Sequence, residues 1–203
     1  MGGWGIIDTV NAIFDPDELM TRRLPGANLD VGLRFLGGDP EGPYWMAVVF
    51  PPGFHRPGGP AVDVTEGYFV LRGELRYSGV VSPAHSYTVI PPGSPRVDTR
   101  TEVPTVAVAR FATQPRWSDV GDPDAPPPVV TTAEGPPAAT PLGPGWTLGA
   151  HDGMTVVLVP ETTSEAVAAD CFLLSLTDGS TTVVAAGENP PPMPGPIGAW
   201  IAT

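Results

Sequence analysis

Short apolar, β-branched-rich runs recur along the chain, each stopped by Gly and Pro. Residues 31–36 form one such run and end at the Gly37-Gly38-Asp39-Pro40 turn; residues 44–50 form the next and stop at Pro51-Pro52-Gly53. Residues 68–77 carry Phe69-Val70-Leu71 and then Gly73, which reads as a strand with a kink or turn. Residues 87–90 stop at Pro91-Pro92-Gly93, and 103–111 form a further run broken by Pro104. Later runs fall at 154–159, 171–176, 181–185 and 197–201. Strands this short, at this spacing and with this punctuation, predict an all-β sandwich or barrel. One short helix is expected near the N-terminus, where Asp15 can cap and Pro16 can take the first helical position.

Composition sharpens that reading. Gly (25) and Pro (28) would suggest disorder in a polar chain, but 41% of the 203 residues are hydrophobic, enough for a core. There are 22 acidic and 10 basic residues, a net charge of −12, and every basic residue is Arg. So acidic a chain has no electrostatic footprint for nucleic acid or anionic lipid, and without Lys there is no Schiff-base chemistry. No apolar stretch approaches a membrane span, and residues 1–8 lack the features of a secretory signal. Cys171, the single cysteine, lies in an apolar run and reads as a small buried hydrophobe; a reducing, cytoplasmic setting is the expectation.

The chain divides into an arm (1–30), a first barrel (31–120), a Pro-rich connector (121–145) and a second β-region (146–203). An internal repeat links the two β-regions: Ala47-Val48-Val49-Phe50-Pro51 matches Val156-Val157-Leu158-Val159-Pro160, and Tyr68-Phe69-Val70-Leu71 matches Cys171-Phe172-Leu173-Leu174. Ile90-Pro91-Pro92-Gly93-Ser94-Pro95 likewise matches Asn189-Pro190-Pro191-Pro192-Met193-Pro194, in the same order.

Two segments carry a family resemblance. Residues 52–75, with Glu66 and Gly73 separated by six residues, resemble the first motif of the cupin superfamily. Residues 84–96, with Pro91 and Gly93, resemble the second. The resemblance implies a jelly-roll-like β-barrel of two packed sheets and, with the repeat, a bicupin whose second half is degenerate. It also implies a divalent metal held by two His before the Glu and a third His after the second-motif glycine. The matching positions here carry Pro60, Val62 and Arg96, so only Glu66 of the four ligands is kept. The expectation is therefore no metal and no other cofactor.

Without a metal, Glu66 has two readings: an acid or base in a water-poor lumen, or a salt bridge with Arg96 left from a lost site. Strand alternation places Glu66, Tyr68 and Val70 on one face. His55 and Asp63 lie in the loop entering that strand, at the expected barrel mouth, although His55 also reads as a solvent-exposed loop residue. His85 stands where a tight turn usually has Gly, and His151 reads as a turn residue. The expected catalytic set is Glu66, His55, Arg96 and Tyr68. Trp45, Asp63, Val70, Val89 and Phe111 are expected to line a site for a small apolar organic ligand.

The function this implies is a metal-independent enzyme of small-molecule biosynthesis: an isomerase, lyase, dehydratase or cyclase moving protons on an apolar substrate. One alternative is a non-catalytic ligand-binding or sensing module. A further alternative is a metal-dependent cupin with the atypical ligands His55, Asp63 and Glu66. Trp4, Ile6, Ile7, Ile13 and Phe14 in the arm need an apolar surface, on their own barrel or on the second copy of a homodimer.

Overall fold

The computed structural model describes residues 14–39, 41–161 and 164–203. It separates into two compact units, 1–130 and 131–203. The arm residues Trp4, Ile6, Ile7 and Ile13 lie outside the described residues, whereas Phe14 is buried with the Arg34 guanidinium over its ring. The expected N-terminal helix is a single 3-10 turn, Pro16–Glu18; Asp15 caps it by accepting from the Asp17 N–H at 3.0 Å.

In the first unit the strands run β1 (Met20–Arg23), β2 (Asp30–Gly38), β3 (Tyr44–Phe50), β4 (His55–Arg56), β5 (Ala61–Val62), β6 (Glu66–Arg72) and β7 (Glu74–Tyr77). They continue as β8 (Val80–Pro83), β9 (Tyr87–Ile90), β10 (Thr99–Arg100), β11 (Thr105–Phe111), β12 (Trp117–Ser118) and β13 (Val129–Thr131). A seven-stranded sheet has the order β1-β2-β3-β11-β6-β9-β13, a four-stranded sheet the order β4-β10-β7-β8, and β12 pairs with β5. The run 68–77, expected to kink or turn at Gly73, turns there: it is β6 and β7 in different sheets. Gly73 makes the corner at φ +78°, where an added Cβ would meet the Pro104 carbonyl and Thr105 at 2.5 Å.

The core of this unit is built from both larger sheets. Val31, Tyr44, Phe50, Tyr68, Val70, Ile90, Ala107, Ala109 and Phe111 come from the seven-stranded sheet, and Leu75 and Tyr77 come from β7. Two aromatic contacts lock it: Tyr44 stacks on Phe111 at 5.3 Å, and Phe50 meets Phe54 edge-on at 5.1 Å. Each such pair adds about 1 kcal/mol to the burial itself. The opposite faces of β6, β9 and β11 are also apolar and buried, with Phe69 packed on Tyr87 at 4.8 Å.

In the second unit the strands are β14 (Ala138–Thr140), β15 (Gly143–His151), β16 (Met154–Val159), β17 (Cys171–Ser175), β18 (Thr181–Val184) and β19 (Ile197–Ala202). Their order is β14-β15-β16-β19-β17-β18. Element by element this reproduces β1-β2-β3-β11-β6-β9. Two of the three repeat pairs found in the sequence occupy equivalent strands, β3 with β16 and β6 with β17; the third starts at the end of β9 in the first unit but lies wholly in the loop after β18 in the second. Even the register irregularity recurs, between Phe35 and Gly37 in β2 and between Thr147 and Gly149 in β15. The second unit has its own core, around Val157, Val159, Leu173, Ile197 and Ala199. Among the described residues it has no counterpart of the four-stranded sheet. At the position matching Glu66 it carries Ala169. Cys171 is buried there, and burial, then Asp170, pushes its thiol up to about 11.

Candidate functional site

β6 begins at Glu66, whose register partners are Phe111 on β11 and Ile90 on β9. The loop that follows β9 is zipped onto the segment before β6: Gly93 N–H donates to the Val62 carbonyl at 2.7 Å, and Arg96 N–H to the Pro60 carbonyl at 3.0 Å. Positions 60, 62, 66 and 96 thus converge, as the two motifs imply. What converges is a proline, a valine, a carboxylate and a guanidinium.

Arg96 reaches Glu66 directly. Its Nη2 donates to Glu66 Oε2 at 2.6 Å and its Nε to the same oxygen at 3.2 Å. The pair is largely withdrawn from water, with 8% of the Arg96 side chain and 15% of the Glu66 side chain exposed. Both bonds end on Oε2, so Oε1 is the carboxylate lone-pair position left over. On the far side of the guanidinium, Arg96 Nη1 is buried with no hydrogen-bond partner among the described residues.

Three phenols, Tyr44, Tyr68 and Tyr77, are near enough to Glu66 to feel its charge. Tyr68 donates to the Tyr77 hydroxyl at 3.0 Å and shares a 2.9 Å bond with Ser82 Oγ, which lies 2.8 Å from Thr88 Oγ1. All four side chains are buried, so the chain Thr88–Ser82–Tyr68–Tyr77 is a dry hydroxyl relay whose outward donor is the Tyr77 proton. Burial pushes the Tyr68 phenol up to about 12, against the lowering effect of those hydrogen bonds. Tyr77 is raised by burial and then by Tyr68; Glu66 raises it further and Arg96 opposes. Tyr44 is raised by burial and then by Glu66. These phenols therefore stay protonated as hydrogen-bond donors at ordinary pH.

The other expected site residues divide. Val70 and Phe111 lie in the core on the same side as Tyr68. Trp45 and Val89 were expected in the barrel interior but stand on the opposite faces of β3 and β9. Along β3 it is Tyr44, Met46, Val48 and Phe50 that meet the core, and along β9 it is Ile90. His55 is on the small sheet, where its Nε2 lies 2.8 Å from Asp98 Oδ1 with 45% of the side chain exposed. Asp63 is exposed and accepts from the Arg116 N–H at 2.8 Å. His55, Asp63 and Glu66 are therefore not brought together, and no group of three or more metal-ligating side chains occurs among the described residues. The donor set at positions 60, 62, 66 and 96 does not fit a divalent metal either, because it offers a single carboxylate, already bonded through one oxygen to a guanidinium whose positive charge would repel the ion. His85 occupies a tight turn at φ +65°, and His151 precedes the Asp152-Gly153 turn, with its Nδ1 3.1 Å from Asp152.

Sequence reasoning missed Tyr77, Tyr44, Ser82 and Thr88. The alternation in Glu74-Leu75-Arg76-Tyr77 was the available signal for Tyr77. It also missed Arg56 and Trp117, for which the sequence carries no signal. Arg56 is buried, donates from Nε to the Pro25 carbonyl at 2.7 Å, and lies with its guanidinium 5.3 Å from the centre of the Trp117 ring. Arg96 lies 5.7 Å from the same ring.

No protein-family model matches the chain, and no curated protein matches it. Among solved structures, a candidate dioxygenase from Nostoc punctiforme superposes with a TM-score of 0.61 at 16% identity, over 94% of this chain and 74% of that one. The Escherichia coli protein Ylba gives 0.48 at 13% identity over 93% and 84%, and a cupin-like protein from Thermotoga maritima gives 0.39 at 16% over 50% and 84%. At such identities the likeness is one of fold, and only the first overlap is close enough to build on. The fold is of the cupin type, a barrel of packed antiparallel sheets. No helix among the described residues is long and apolar enough to cross a membrane.

Proposed function

We propose that the first unit of this cupin-fold protein binds a small, largely apolar organic molecule and moves a proton on it without a metal. The observation that carries the reading is the Glu66–Arg96 pair. A guanidinium stands where the resemblance would put the third metal-ligating His, and it holds the carboxylate by one oxygen only. Oε1 then serves as the base, drawing a proton from a carbon next to a carbonyl. The Tyr77 hydroxyl, at the end of the relay, donates to that carbonyl oxygen as negative charge gathers on it. The proton returns from Glu66 to a different carbon, so the sequence is an isomerisation and needs no oxidant or reductant. Phe111, Tyr44 and Val70 supply the apolar wall.

A second reading, a ligand-binding module without turnover, is favoured by the position of His55. Asp98 draws it to the small sheet, and no imidazole assists the carboxylate. One experiment separates the two. Small molecules released by denaturing the purified protein are identified by mass spectrometry and returned to fresh protein in heavy water. Wild type is expected to place deuterium on carbon, and Glu66→Gln to slow this by about 100-fold or more while still binding. Binding without deuterium uptake by wild type, or equal uptake by Glu66→Gln, overturns the proton chemistry.

A further inference from the structure

The chain has ten arginines against 22 acidic residues, so a buried arginine has many carboxylates to pair with. Two buried arginines nevertheless meet under one indole, and Glu66 is bonded to one of them, Arg96. Arg56 and Arg96 both lie against Trp117, at 5.3 and 5.7 Å from its ring centre. They are close enough that, after burial, Arg96 is the main cause lowering the Arg56 guanidinium; exposed Asp119 opposes this. Glu66 neutralises one of the two charges, and holding the other in a low-dielectric place costs free energy that a second anion would offset.

The covalent geometry of the guanidinium says where that anion goes. Glu66 uses the Nε–Nη2 edge of Arg96, so the Nη1 protons point away from Glu66, and Nη1 is the buried donor left without a partner. Arg56 is committed through Nε to the Pro25 carbonyl. Trp117 covers both, yet is itself 53% exposed. It sits on a strap leaving β11 at Phe111 that is held to β5 by the two residue pairs Trp117↔Val62 and Ser118↔Ala61, to Asp63 through Arg116, and to Gly59 by the Gly121 N–H at 3.0 Å. A half-exposed aromatic ring on a short two-stranded edge is the kind of cover that can swing aside.

We infer that Arg56 and Arg96, beneath Trp117, form the binding site for the carboxylate of an organic acid, with the indole closing over the ligand. The inference rests on the reading above, for it names the class of that ligand: an apolar body toward Phe111 and Tyr44, and a carboxylate toward Arg96 Nη1 and Arg56. A carboxylate fits two guanidiniums in the plane of its oxygens, and a neutral amide of the same shape does not.

The test is a fluorescence titration of the full chain with benzoate and octanoate, their neutral amides, and inorganic phosphate. Trp117→Phe identifies which part of the signal belongs to Trp117. At least one carboxylate is expected to bind saturably, at least tenfold more tightly than its amide. Arg56→Gln should weaken that binding at least tenfold, and Arg56→Lys should restore part of it. Urea unfolding of each variant separates a binding loss from a folding loss. Should Arg56→Gln fail to fold, Arg56→Lys and the acid-to-amide ratio carry the test. Amides binding as tightly as the acids overturn the carboxylate site while leaving the proton-transfer reading intact. Binding of neither overturns both. Phosphate preferred to both acids overturns the assignment to an organic acid.

Discussion

The Glu66–Arg96 pair makes a prediction about asymmetry. Glu66→Gln keeps an oxygen that accepts from Arg96, so it loses charge but not the hydrogen bond, at a cost of about 2 kcal/mol. Arg96→Met leaves a mostly buried carboxylate with no donor, at a cost of about 3–5 kcal/mol. Urea midpoints compare the two, and an Arg96→Met variant as stable as Glu66→Gln would remove the pair from the list of contacts that matter. Tyr68 gives a pH prediction. Its phenol is raised from an ordinary value near 10 to about 12. A raised acid favours the protonated form in the folded state, so its contribution is complete below pH 10. It is lost as pH climbs from 10 to 12, because the unfolded chain ionises first, and the slope is about 1.4 kcal/mol per pH unit. Unfolding free energy measured across that window should fall for wild type, with that component missing in Tyr68→Phe. Of these residues, Glu66, Arg96 and Tyr68 were legible in the sequence, because motif spacing and strand alternation are local. Arg56 and Trp117 were not. Their meeting depends on β12 pairing with β5 across more than fifty residues, and no local pattern records it.

At the scale of elements, the error on Trp45 and Val89 has a single cause. A strand buried on one face shows its parity in the sequence, but β3 and β9 are covered on both faces, so apolar residues fill odd and even positions alike. The parity of Tyr44 over Trp45 is set by register with β11, where Phe111 lies opposite Tyr44. Turns were easier to read, because their chemistry is local. Gly73 and Gly79 adopt nearly the same left-handed conformation, φ +78° and +76°, and yet differ in surroundings. A Cβ at Gly79 meets nothing within 4 Å, whereas at Gly73 it meets backbone at 2.5 Å. Gly79→Ala should cost about 1 kcal/mol, the conformational penalty alone. Gly73→Ala should cost at least about 1 kcal/mol more, because the β6–β7 corner has to open. Thermal unfolding of the two variants measures the difference directly, and equal losses would mean that the corner relaxes freely.

At the scale of the whole molecule, two units share one strand order and differ in what has been added to it. The first carries the strands that build a second sheet, and with them Tyr77, Arg56 and Arg96; the second keeps the frame and has Ala169 where the carboxylate would stand. Equivalent topology does not oblige the two cores to melt together. Among the described residues, the buried members of the first core lie between 31 and 111, and those of the second between 142 and 201. Leu173, fully buried in β17, is the place to ask whether they are coupled. Leu173→Ala removes a packed side chain at a cost of about 2–5 kcal/mol. With separate cores that cost falls on the second unit alone: hydrogen exchange should quicken in β16, β17 and β19 while β6 and β11 keep their protection and carboxylate binding at Arg56 is unchanged. Equal loss of protection in β6 would show instead that one cooperative unit spans both cores, and that the second half acts on the site by holding the first half folded.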